Sequence, residues 1–216
     1  MSLAPPAITL PFLADLCCFT SLHPATLAET LSELEGSALM DYSSANPATL
    51  ELLSTYYTVY LLSLLLDHDL YEARFLLQRI PGYLLSDPQL ANAAALLRAL
   101  YTRTYLSVYS TLSNPTWTPA VVPLRDRLQD DFKNTTFQLL SKAYKSISPK
   151  SAAFYLGLDA SEEEAIKLLV AQGWGFDAAS GLLKPSIKYG NGATRSTLKD
   201  DRIGRLTALV MHLTES

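Results

Sequence analysis

The sequence predicts a mainly α-helical protein: a helical-repeat-like array, then a smaller module of helices with a β-hairpin, then a C-terminal helix. Three observations carry this. Helix-opening pairs, a capping residue followed by proline, stand at His23-Pro24, Asn46-Pro47 and Asp87-Pro88. Proline suits the first helical position because its missing N–H would be unpaired there anyway. Between such pairs the apolar residues recur at helical spacing. Strand-like patterning is confined to the run WGFDAASGLLKPSI, which begins at Trp174.

In chain order, the first helix opens at Pro24 and ends near Gly36. The second runs from Pro47 to about Leu66. Asp67-His68-Asp69 turns the chain, and Asp69 caps a helix from Leu70 to Ile80 that Pro81-Gly82 stops. Asp87-Pro88 opens the next, through Ala91, Ala94, Leu97 and Leu100, with further helix to about Leu112 before the break at Ser113-Asn114-Pro115. A longer helix spans roughly Val121 to Ser146, with Leu124, Leu128, Phe132, Leu139, Leu140 and Ala143 as its apolar face. Short turns between consecutive helices predict antiparallel pairs. No strict repeat consensus is present. Tyr56, Tyr57 and Tyr60 read as core rather than as a binding box.

After Ser148-Pro149 a short helix over 150–158 turns Ala152, Ala153, Tyr155 and Leu156 inward. Ser161 caps the next, whose first turn, Glu162-Glu163-Glu164, complements the helix dipole, and Gly173 ends it. Two strand-like runs then flank a turn at Ala179-Ser180-Gly181. Short helix, capped helix and hairpin is the order of a winged-helix module. Residues 186–200 read as linker, and a last helix from about Asp200 to Thr214 aligns Ile203, Leu206, Leu209, Val210 and Leu213 on one face. The expected division is an N-terminal helical segment (1–45), the array (46–146), the winged-helix part (147–187), and linker with C-terminal helix (188–216).

Composition narrows the function classes. Of the 216 residues, 49% are hydrophobic and 18% charged, so apolar material suffices for a core and some of it for partners. No Lys or Arg precedes Arg74, whereas nine carboxylates do, from Asp15 to Glu72. Such an acidic front opposes nucleic acid and anionic lipid. Cys17 and Cys18 are adjacent, a spacing poor for a disulfide and too few thiols for structural zinc, which points to cytosol or nucleus. The first twenty residues lack a basic region and carry Pro5, Pro6 and Pro11, unlike a signal peptide. The stretch 48–66 approaches membrane-span length but holds Glu51 and several hydroxyls, and reads as a buried core helix.

No catalytic, metal or cofactor site is expected. His23, His68 and His212 are scattered, and no His-x-His, His-Glu-x-x-His, nucleophile-elbow or phosphate-loop motif occurs. Asp67-His68-Asp69 reads as a capped surface turn. Nucleic-acid binding is the competing class, since winged helices read DNA with the helix before the wing. Here that helix leads with three carboxylates, which repel phosphate. Lys184, Lys188, Arg195, Lys199, Arg202 and Arg205 form a basic strip beyond it. That strip suits an acidic partner subunit as well as phosphates.

Taken in order, these residues resemble the small PCI-domain scaffold family of the COP-nine signalosome, the proteasome lid and translation initiation factor three. The match is densest over Tyr60 to Pro81, YLLSLLLDHDLYEARFLLQRIP, with Ala73-Arg74 and Arg79-Ile80-Pro81. It continues through Phe137 to Tyr144, Ala153-Phe154, Gly157-Leu158, Gly173-Trp174 and Arg205-Leu206-Thr207. Within the family the signalosome branch fits best. The resemblance implies a PCI fold and a non-catalytic scaffold for the complex that removes Nedd from cullin-RING ligases, placed in cytoplasm and nucleus. It implies partners among the other signalosome PCI subunits, above all subunit three, and no membrane. An edge at Leu182, Leu183 and Lys184 would meet a neighbouring PCI subunit. Ile203, Leu206, Leu209, Val210 and Leu213 would enter the helical bundle of the complex. The lid and initiation-factor branches share this layout. The N-terminal 45 residues find no clear counterpart in the resemblance.

Overall fold

The computed structural model describes residues 8–18, 23–40, 47–158, 162–178 and 180–185. They form α1 (Leu10–Cys18), α2 (Pro24–Met40), α3 (Pro47–Leu66), α4 (Leu70–Arg79), a 3₁₀ turn (Leu84–Ser86), α5 (Pro88–Tyr101), α6 (Tyr105–Leu112) and α7 (Val122–Ala143). After these come α8 (Pro149–Leu156), α9 (Glu162–Ala171), β1 (Gly175–Asp177) and β2 (Leu182–Lys184). The described residues are mostly helical with one small antiparallel sheet, as the sequence predicts. The linker 186–200, the terminal-helix residues Ile203, Leu206, Leu209, Val210 and Leu213, and the expected caps Asn46 and Ser161 lie outside the described residues.

Helix α3 explains how the array is held. Every residue from Leu53 to Leu66 is buried, and α1, α2, α4, α5 and α7 all pack on it. A helix apolar all round must be enclosed, by protein or by lipid. Here the protein encloses it, although it is the one helix among the described residues long and apolar enough to cross a membrane. Three of its hydroxyls are tied off inside the core, while Ser54 Oγ and the Tyr57 hydroxyl are buried without a partner among the described residues. Thr58 Oγ1 donates to the Ser54 carbonyl at 2.7 Å, Ser63 Oγ to the Tyr60 carbonyl at 2.7 Å, and Tyr56 to the Leu31 carbonyl of α2. Tyr56, Tyr57 and Tyr60 are core residues, packed ring against ring.

Local chemistry sets three of the helix starts. Asp69 accepts from the Glu72 N–H at 2.9 Å to start α4, and Asp87 accepts from Gln89 and Leu90 ahead of Pro88 to start α5. Ser148 accepts from Ser151 at 3.2 Å ahead of Pro149. These satisfy N–H groups that the first helical turn leaves open.

Pro11 sits in the first turn of α1, where proline removes no helical hydrogen bond. Two boundary or face expectations need correction. Helix α2 runs through Gly36 to Met40, because an isolated interior glycine costs only about 1 kcal/mol. In α7 the inward stripe is Leu124, Leu128, Phe132, Thr136 and Leu140, spaced by four; Leu139, about 100° round the helix from Leu140, is 54% exposed, and Ala143 also faces solvent.

The apolar interior divides in two. The larger cluster runs from Ile8 to Leu128 around α3. The smaller joins Leu140, Ile147, Ala152, Leu156, Leu169, Trp174 and Leu183. Helix α7 contributes to both, Leu124 and Leu128 to the first and Leu140 to the second.

Candidate interaction surfaces

The hairpin is built around its buried strand. β1 and β2 pair antiparallel, Gly175 opposite Lys184 and Asp177 opposite Leu182. Gly181, at φ +68, makes the tight return that an L side chain resists. Leu183 is fully buried, and it exchanges both backbone hydrogen bonds with Ile147 at 2.9 Å. β2 therefore lies between β1 and the Ile147 segment, and the expected outer edge at Leu182–Lys184 is corrected. In an antiparallel ladder, bonded and non-bonded pairs alternate. Leu183 bonds towards Ile147, so Phe176 opposite it turns its own N–H and C=O outward. Among the described residues the outer strand is β1, with Phe176 41% exposed. Lys184 Nζ meets Asp177 Oδ2 at 2.8 Å across the hairpin. Glu163 and Glu164 on α9 are exposed.

The hairpin module is joined to the array by aromatics. Tyr109 of α6 donates its hydroxyl to the Tyr155 carbonyl at 3.1 Å. Its ring packs on Phe132 at 5.5 Å, and Tyr105 meets Tyr155 edge-on at 5.1 Å. Gly157 closes α8 in the left-handed region at φ 61 and ψ 36. A methyl group there would sit 2.4–2.7 Å from three ring carbons of Tyr109. Glycine is required twice over, by backbone and by space. The signal in the sequence was Gly157 itself, but nothing in the chain names Tyr109 as its neighbour.

The residues quoted for the family resemblance turn out to fasten elements together. Ala73 is fully buried on the inner face of α4, and Ile80 is buried just beyond it, ahead of Pro81. Arg79 bridges Glu72 at 3.0 Å and Glu35 at 3.3 Å, tying α4 to α2. Arg74 lies over the Tyr101 ring at 5.9 Å. Gly173, at φ 103, ends α9. Trp174 stacks on Phe137 at 5.1 Å and donates Nε1–H to Ser141 Oγ at 3.1 Å. Tyr144 is half-exposed, and its side-chain hydrogen bond with Tyr155 raises its pKa.

A groove of about 390 Å³ lies between the α3–α4 turn, the α5–α6 turn and α7, lined by Leu65, Leu70, Leu100, Tyr105 and Leu139 with His68, Arg103 and Asp131. His68 and Arg103 both hold positive φ, and His68 Nε2 stands 3.5 Å from Asp131 Oδ2. This contact ties the α3–α4 turn to α7. Among the described residues no three His, Cys, Asp or Glu side chains converge as metal ligands. Cys17 is buried, which together with the Cys18 charge pushes its thiol up to about 12; Cys18 is exposed.

The model of the CSN8/PSMD8/EIF3K family matches residues 51–189. Over 197 residues the chain is 30% identical to COP9 signalosome complex subunit 8 of Dictyostelium discoideum, covering 88% of this chain and 97% of that protein. It is 33% identical over 164 residues to the subunit of the same name from Emericella nidulans, covering 75% and 77% of the two chains. It is 30% identical over 158 residues to that of Arabidopsis thaliana, covering 73% and 78%.

Proposed function

We propose that this chain, which belongs to the CSN8/PSMD8/EIF3K family, is a non-catalytic scaffold subunit of a COP9 signalosome. In this reading it acts in cytoplasm and nucleus within the complex that removes Nedd from cullins. The observation that carries it is the match over nearly the whole length of a relative named as subunit 8 of that complex. The family name also spans two other complexes; the named relatives favour the signalosome.

Two surfaces would do the holding. The first is the hairpin, whose outer strand β1 offers unpaired backbone groups and Phe176 to a neighbouring PCI subunit, with subunit three as the expected neighbour. Leu182 and Lys184 flank that strand from β2. The second is the C-terminal segment, whose Ile203, Leu206, Leu209, Val210 and Leu213 would enter a helical bundle shared by the complex. Direct DNA reading by α9 is disfavoured by exposed Glu163 and Glu164 in its first turn. The test is co-purification of the full chain carrying Leu206→Asp and Leu209→Asp, beside a Phe176→Asp variant. Loss of the other subunits is expected in each case, and unchanged recovery would remove the surface concerned.

A further inference from the structure

Away from the hairpin, α4 and the end of α5 leave an aromatic and cationic face in solvent. Tyr71, Phe75 and Tyr101 are 72%, 54% and 55% exposed, three of the four most exposed aromatics among the described residues. Tyr71 and Phe75 are four residues apart on α4 and share one face. Arg74 stands between them, with its guanidinium over the Tyr101 ring. Arg98 lies one turn before Tyr101 on α5 and is exposed. The opposite side of α4, Ala73 and Leu76, is buried, so the aromatic face is not the one that holds the fold.

Basic side chains predominate along the segments that carry this face. From Arg74 to Leu124 the chain has four arginines and a single carboxylate, Asp87, which is occupied in capping α5. Glu72 and Asp69 are likewise engaged, with Arg79 and with the start of α4. No carboxylate pairs with Arg74 or Arg98 among the described residues. A solvent-facing helix surface normally carries mixed charge, whereas aromatic side chains with arginine are what protein-binding hot spots are made of.

We propose that this face docks a short acidic segment of a partner protein, one with apolar side chains interspersed among its carboxylates. The rings of Tyr71, Phe75 and Tyr101 cover the apolar anchors, while Arg74 and Arg98 take the carboxylates with paired N–H donors. Arg74 is held in place by its ring contact, which lowers the ordering cost of binding. This surface is separate from the hairpin and does not depend on the signalosome reading.

The test uses the full chain and three labelled peptides followed by fluorescence anisotropy. One alternates Asp and Glu with Leu and Phe, one replaces the acids by Lys, and one replaces the apolar residues by Ser. The first binds, and binding weakens with salt. Arg74→Glu with Arg98→Glu, or Tyr71→Ser with Phe75→Ser, lowers affinity by about tenfold or more, the scale of a hot-spot truncation. Thermal midpoints stay near the parent's, since these side chains are exposed, so lost binding is not lost folding. Equal binding of the Lys peptide, binding indifferent to the substitutions, or no binding of the first peptide overturns the proposal. So does retention of phosphatidylserine vesicles through the same arginines without peptide binding.

Discussion

Replacing Gly157 by alanine tests how the hairpin module is seated on the array. The new methyl carbon would lie 2.4, 2.5 and 2.7 Å from three ring carbons of Tyr109. That ring cannot swing aside freely, because its hydroxyl is bonded to the Tyr155 carbonyl and the ring packs against Phe132. Forcing a methyl into a packed site costs about 1–3 kcal/mol. Holding alanine in the left-handed region adds about 1 kcal/mol. Together these predict a loss of roughly 2–4 kcal/mol, which at an m-value of about 2 kcal/mol/M lowers the urea midpoint by roughly 1–2 M. A double-mutant cycle separates the two parts. In a Tyr109→Ala background the clash is gone, and Gly157→Ala should cost only the backbone part, about 1 kcal/mol. A urea midpoint unchanged by Gly157→Ala, or equal costs in both backgrounds, would refute the reasoning.

Further outcomes follow from burial and pairing. Burial first, then Glu35, pushes Tyr57 up to about 12, and burial first pushes Tyr109 up to about 12. Both are stabilising while protonated, so their contribution is complete below the ordinary tyrosine pKa near 10 and is lost as pH rises towards 12; absorbance at 295 nm should show a late tyrosine class that titrates with unfolding. A thiol reagent at mildly alkaline pH should modify exposed Cys18 quickly and buried Cys17 only in denaturant. Arg79→Ala should cost about 1 kcal/mol in low salt and less in high salt, since the pairs it breaks are partly exposed. Trp174→Phe, which leaves Ser141 without its indole donor, should cost roughly 1–2 kcal/mol in denaturant titrations.

Much of the fold was legible because its determinants are local. Asp69, Asp87-Pro88 and Ser148-Pro149 act within one turn of where they stand, and the apolar run ending at Leu66 needs no partner to identify it as core. What escaped depends on residues distant in sequence. Leu139 and Leu140 are equally apolar, and the packing of α7 decides which faces inward; Thr136 is buried despite its hydroxyl. Leu183 read as the outer strand because a hairpin has two strands, and Ile147, 36 positions earlier, supplies the third partner. The Tyr109–Gly157 contact belongs to the same class. Arg74 was legible as a family residue, but its place over Tyr101 became visible only when α4 packed on α5.

The central claim, that this chain is a structural subunit of a signalosome, meets its most direct test in native mass spectrometry of complexes purified through a tag on the chain. The predicted result is one copy of the chain in an assembly containing the other signalosome subunits. Recovery instead with proteasome-lid or initiation-factor subunits, or as a free chain from gently lysed cells, would contradict it.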